Sequence, residues 1–266
     1  MRRIALLLWI ALLASACGAQ PVPSYAGTAR HRYEQGAEAL SDDDYLDAVK
    51  HFTYVKNKFA YSKYAALAEI GLADTYFKQK KYIEAIDAYR TFMQGRPNHQ
   101  MVPTAMWRVG VAYYEQKPSD FFLFPPSHEK DLGSNKDALR ALNRYVERFP
   151  KHEHVPAAKK KIADCVRELA RYEMFVAKFY LRDDRPVSAR GRLEVVVRDY
   201  AAVTDLWNEA ALDLVEVYLE LAQRQPEEAK VLRKKALTVA RMLIEKAPGS
   251  DEAEQARGFL RLIGNG

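Results

Sequence analysis

The sequence predicts an all-α protein, a solenoid of about five helical hairpins, and three observations carry that expectation. Between Tyr64 and Pro97 two apolar runs of helical period face each other across the polar break Gln79-Lys80-Lys81. One run carries Leu72, Ala73 and Tyr76, the other Ala85, Tyr89 and Phe92. Small residues at Ala73 and Ala85 let two helix backbones approach, while the aromatic side chains fill the space around the contact. The same order of small and aromatic residues recurs elsewhere along the chain. Composition agrees: 48% of residues are hydrophobic and 29% charged, with only 12 glycines and 12 prolines, too few for many β-turns.

Taken in order, Met1-Arg2-Arg3, the apolar run from Ile4 to Ala14 and Ser15-Ala16-Cys17 read as a secretory leader over residues 1–16. The run is shorter than the ~20 residues that cross a bilayer. Cys17 behind small residues resembles a bacterial lipobox, with Ala14 where leucine is usual, and this implies acylation of Cys17. A plain secretory signal cut nearby is the other reading. Gly18 is not the aspartate that marks inner-membrane retention, which points to a lipid anchor in the outer membrane, on its periplasmic face. Residues 17–30, with Pro21, Pro23, Gly27 and no apolar period, read as the lipidated end and a flexible tether. Cys165, the other cysteine, falls in an apolar helical pattern and reads as a buried, inert thiol.

Residues 31–154 hold three hairpins and residues 155–262 a linking helix with two more. The first hairpin carries Gly36, Ala48, Phe52 and Val55, with the acidic break Asp42-Asp43-Asp44 suiting a helix start. The second is the Tyr64–Pro97 stretch. The third carries Trp107, Tyr114, Ala138, Leu142, Tyr145 and Pro150, with an insertion between Tyr114 and Ala138. A linking helix from Val155 runs on through Tyr172 to Tyr180. The fourth hairpin has Ala177, Tyr180, Ala189, Leu193 and Val196; the fifth has Tyr218, Ala236, Leu243 and Pro248, with a second insertion around Gln223–Glu228. The β-branched run Val195–Val197 falls where a helix belongs, and the period decides for helix.

The fixed spacing Ala73, Tyr76, Ala85, Tyr89, Pro97 resembles a tetratricopeptide repeat. In such hairpins the exposed positions of the first helix line a concave face. Here these are Tyr33 in the first repeat, Leu67, Ile70, Asp74, Phe77 and Lys78 in the second, and Arg108 in the third. Aromatic, cationic and acidic side chains together suit an extended peptide; the alternative is an ordinary solvated scaffold surface.

The layout as a whole, a lipobox cysteine followed by five repeats with an insertion in the third and a long helix into the fourth, resembles the BamD family of outer-membrane protein assembly lipoproteins. Phrases that carry the resemblance are Tyr33-Glu-Gln-Gly-Ala-Glu-Ala-Leu40, Phe59-Ala-Tyr-Ser-Lys-Tyr-Ala65, Arg171-Tyr-Glu173 and Val197-Arg-Asp-Tyr200. The family commonly has Tyr-Pro where this chain has Phe59-Ala60 and Tyr200-Ala201. The resemblance implies a scaffold of the machine that folds β-barrel proteins into the outer membrane. Its partners would be the periplasmic domains of the barrel-forming subunit, other assembly lipoproteins, and unfolded clients held in a groove of the first three repeats. The alternative is another cell-envelope adaptor of the same repeat type, such as one associated with the Tol–Pal system.

Further residues stand out. Phe121, Phe122 and Phe124 lie in a proline-bounded insertion and must fold back or dock on a partner, since three wet phenylalanines make an apolar patch. Arg198 sits where a cation complements a helix C-terminus, and the resemblance also allows an ion pair with the barrel-forming subunit. Lys159, Lys160, Lys161, Arg167 and Arg171 form a basic helix face, read as solvated. His152 and His154 lack the companions of a metal site, and no cofactor is expected. No glycine-rich phosphate loop, serine elbow or Cys–His pair is present, so an enzyme is not expected. A formal charge of +6, spread among acidic neighbours, does not indicate nucleic acid.

Overall fold

The computed structural model describes residues 24–117 and 132–264. The expected leader, Cys17 and the Phe121, Phe122 and Phe124 segment lie outside them. Among the described residues are eleven α-helices and no strand. They are α1 (Tyr25–Ser41), α2 (Tyr45–Lys58), α3 (Lys63–Lys78), α4 (Tyr82–Gly95), α5 (Val102–Glu115), α6 (Gly133–Arg148), α7 (Val155–Arg182), α8 (Pro186–Asp199), α9 (Thr204–Arg224), α10 (Ala229–Lys246) and α11 (Asp251–Gly264). Val195–Val197 are helical, within α8.

The chain divides into two compact units, residues 1–79 and 80–266. Inside each, a helix packs on its sequence neighbours, and α1 with α3, α5 with α7, α7 with α9 and α9 with α11 also touch. That is the packing of a helical-repeat stack. The 28-residue α7 packs on α6, α8 and α9.

The first unit shows how small residues set the spacing. Phe52 of α2 is 1% exposed and wedged between two glycines. A Cβ added at Gly36 of α1 would sit 2.9 Å from the Phe52 ring, and one at Gly71 of α3 only 2.6 Å from it. Ala29, Ala48 and Ala68 are fully buried around this plug. In the second unit Gly110 of α5 plays the same part for Leu142 of α6. The C-terminal core gathers Met174, Leu193, Trp207, Leu214, Leu221 and Leu243 from α7 to α10. The Trp207 indole donates to the Val197 carbonyl at 2.9 Å, so its one polar group is satisfied.

Tight turns repeat as well. Asp43, Lys80 and Asp184 all have positive φ, each midway between a helix and the next N-cap. At Asp43 the α1 end closes with Asp44 N–H to Ala39 O at 2.8 Å and Asp43 N–H to Leu40 O at 3.4 Å. At Asp184 the pattern is Arg185 to Tyr180 at 2.9 Å and Asp184 to Leu181 at 3.2 Å. Both are Schellman closures, which satisfy helix-end carbonyls and reverse the chain in three residues.

Two boundaries differ from expectation. Residues 25–30 belong to α1 and not to a tether: Ser24 caps the helix, its Oγ accepting from Gly27 N–H at 3.0 Å. Tyr25 also packs edge-on against Phe59 at 4.7 Å, so packing holds a first turn that composition alone reads as loose. The insertion around Gln223 partly lengthens α9, which runs to Arg224, instead of forming a loop. Helix α11 was not foreseen as an element. Its signals are Ser250, which caps it through Ala253 N–H at 3.1 Å, and acidic Asp251, Glu252 and Glu254 in its first turn.

Candidate binding surface

Six of the seven predicted groove residues fall in the first unit, on α1 and α3, and their settings differ sharply. Tyr33 is half-buried, its ring 5.8 Å from Phe52 and 5.7 Å from Tyr64. Burial, and then the nearby carboxylate of Asp74, push its hydroxyl above the usual tyrosine range. Tyr33, Tyr64 and Asp74 are therefore one electrostatic neighbourhood. Leu67, Asp74 and Phe77 remain partly exposed along the same helix α3. Together these five residues form a half-wet aromatic and acidic face built on two helices that the Phe52 plug holds at fixed spacing.

Two members sit differently. Ile70 is only 6% exposed, on a helix that buries residues on most of its sides, Ala65, Leu72 and Thr75 among them. Lys78 is exposed but committed: its ammonium donates to the Leu40 carbonyl at 3.0 Å and to Asp43 at 3.1 Å. That contact braces the left-handed turn at Asp43, whose carboxyl is held below the usual range by Lys78 and Tyr45. Arg108, partly exposed on α5, belongs to the second unit.

In the second unit most predicted cations already have partners. Arg198 forms a two-pronged pair with the adjacent Asp199, at 2.8 and 2.7 Å, and its side chain is otherwise largely exposed. On the basic face of α7, Lys161 pairs with Glu115 at 3.2 Å, Arg167 with Asp205 at 2.7 Å and Arg171 with Glu168 at 2.8 Å. Lys178 further along bonds Glu209. The face is thus a set of clasps from α7 to α5 and α9. Lys159 and Lys160 stay in solvent.

The histidines serve packing. His152 Nδ1 lies 2.7 Å from the Tyr145 hydroxyl, and His154 stacks on Trp107 with ring centres 5.4 Å apart. Among the described residues no group of side chains is arranged to hold a metal. Cys165 is 1% exposed, and burial pushes its thiol up to about 11, so it carries negligible thiolate at neutral pH. No helix of the described residues is long and apolar enough to cross a membrane.

Comparison with known proteins gives this arrangement a family. The chain is 27% identical over 198 residues to the outer membrane protein assembly factor BamD of Caulobacter vibrioides, covering 74% of this chain and 61% of that protein. It is 23% identical over 208 residues to the BamD of Neisseria gonorrhoeae, covering 75% and 78%. Among solved structures, a tetratricopeptide-repeat protein from Bacteroides fragilis aligns at 13% identity with a TM-score of 0.47, covering 88% of this chain and 98% of the other. The model of the YfiO family, described as outer membrane lipoprotein, matches residues 25–257. That match begins on the first residue of α1 and ends inside α11, taking in the Tyr33–Phe77 face and every intervening helix, and the chain belongs to the YfiO family of outer membrane lipoproteins.

Proposed function

We propose that the chain is a lipid-anchored scaffold of the machinery that assembles β-barrel proteins, held through Cys17 on the periplasmic face of the outer membrane. The observation that supports this most is the family match over residues 25–257, joined by relatives that share the name of assembly factor. The chain acts by binding and not by catalysis. Its stacked hairpins consume their apolar seams against each other and leave side chains on the outward faces for other polypeptides.

Within that role, the Tyr33, Leu67, Asp74 and Phe77 face takes an extended client segment, with aromatic rings for its apolar side chains and a carboxylate for its cationic or amide groups. Arg198 meets the barrel-forming subunit, exchanging its pairing with Asp199 for a carboxylate of the partner. Phe121, Phe122 and Phe124 supply an apolar contact to a partner.

The test is purification of the tagged, full-length chain from envelope membranes. Co-purification with a large β-barrel subunit is the expected result; recovery with peptidoglycan-associated proteins in its place would overturn the assignment. A Tyr33→Ala, Phe77→Ala pair should weaken capture of an unfolded barrel client by about tenfold, the scale set by losing two aromatic contacts. Unchanged capture removes this face from the role.

A further inference from the structure

A second surface lies in the second unit where α4, α5 and α6 meet. Here a cleft of about 360 Å³ opens between the helices. Its floor includes Met93, Met106 and Val109, and its rim carries Arg90, Arg144 and Arg148. The layering is clear from exposure: Met106 is 8% exposed, whereas all three arginines are in solvent. Arg144 and Arg148 are one helical turn apart on α6 and share a face; Arg90 stands opposite on α4.

The three arginines have no carboxylate partner among the described residues. Arginines of this unit at positions 140, 167, 171, 192, 198 and 224 each meet a carboxylate. Among the described residues, Arg90, Arg144 and Arg148 meet none; Arg182, Arg233 and Arg241 meet none either, but Arg90, Arg144 and Arg148 line one cleft together. The Arg90 guanidinium rests 5.6 Å from the Tyr113 ring centre and that of Arg148 5.3 Å from the Phe149 ring. Stacking of this kind steadies the planar group while its N–H edge stays available for an anion. Three positive charges crowded over an apolar cleft repel one another, and an anion between them relieves that repulsion.

We propose that this cleft binds an acidic peptide segment of a partner protein, one that inserts an aliphatic or aromatic side chain between flanking carboxylates. The order of the layers selects this occupant. Apolar atoms lie at the bottom and cations at the mouth, so the ligand must enter apolar group first and leave its negative charge outside. A peptide side chain does this. A phospholipid in a bilayer presents the reverse, headgroup foremost with the acyl chains behind it. The volume accommodates a side chain or two and lies at the small end of ligand sites, and methionine in the floor adapts to more than one apolar shape.

The test uses the full chain and a labelled synthetic peptide with one leucine between two pairs of glutamates. Arg144→Glu with Arg148→Glu changes only exposed side chains, and circular dichroism verifies that the helices remain. Binding should fall by about tenfold or more in this variant and weaken steadily with added salt, as expected for charge-assisted recognition. The glutamine counterpart of the peptide should bind far more weakly than the glutamate form. Equal binding of the two peptides, equal binding by the variant, or no binding of the glutamate peptide would overturn the proposal. Retention on phosphatidylglycerol vesicles that is lost in the variant, without peptide binding, would assign the cleft to a membrane surface instead.

Discussion

Asp213 is a carboxyl in an unfavourable place. It sits part-buried on α9 with Glu209 and Glu216 one turn away on either side, and only Lys178 of α7 opposes them. Burial first, and then those like charges, raise it from 3.8 to about 6. A raised carboxyl works against the folded state when ionised. Between about pH 4 and pH 6 the folded chain holds a proton that the unfolded chain has released, so stability from this group is complete below pH 4 and lost as pH rises through 6. The group is partly solvated, so the full shift must be discounted, leaving on the order of 1 kcal/mol. Asp213→Asn should therefore raise the melting temperature by about 2–4 °C at pH 7.5 and by nothing at pH 4, the scale expected for a chain of this size. Subtracting the two pH profiles cancels every other titration, and a difference that stays flat with pH would refute the assignment. None of this was legible in the sequence, where Asp213 is one more charge on a helix. The Lys78–Asp43 pair was hidden for the same reason: the two residues are 35 positions apart, and sequence spacing does not show which charges a fold has already matched.

At the scale of the helix pair, close approach was legible and its cost is measurable. Ala48, Ala73, Ala85 and Phe52 were readable because the small-and-aromatic spacing is local, and all four are buried as that spacing requires. The glycines show where alanine is already too large. A Cβ at Gly110 would lie 2.5 Å from Leu142 Cδ2 and 3.4 Å from the Leu142 backbone nitrogen. Gly110→Ala gains about 1 kcal/mol in helix propensity but forces the fully buried Leu142 to move, at about 1–3 kcal/mol. The net expectation is a loss of about 1 kcal/mol in chemical denaturation. Gly95, exposed at the end of α4 with nothing near its missing Cβ, provides the contrast: Gly95→Ala should lack the packing penalty. If both substitutions stabilise the chain, α5 and α6 are not in the contact described. Ile70 marks the limit of reading by helix. Its place on α3 suggests an open face, yet it is buried, and the repeat spacing of one helix does not show that.

For the whole molecule, the repeat order and the all-α class were legible because each hairpin writes its own short pattern. What joins elements distant in sequence was not. Arg90 and Arg144 come together only through the stacking of α4 on α5 and α5 on α6, and α11 has no hairpin partner to announce it. Yet α11 is the helix on which the C-terminal end depends. Ala253 and Ala256 are fully buried, and the helix packs on both α10 and α9. In a stack where each helix leans on its near neighbours, stability is a sum of local and adjacent terms, and the terminal helix covers an otherwise open apolar end. Truncation after Pro248 removes that cover and bares the faces of Leu219 and Val239. Hydrogen exchange should then quicken in α9 and α10 by about tenfold or more, the equivalent of about 1.4 kcal/mol in local opening. The effect should fade toward α7 and leave α1 to α3 unchanged, since they lie in the other compact unit. Uniform quickening along the chain would mean a single cooperative core in place of neighbour-to-neighbour packing, and no change in α9 would mean that α11 is not its cover.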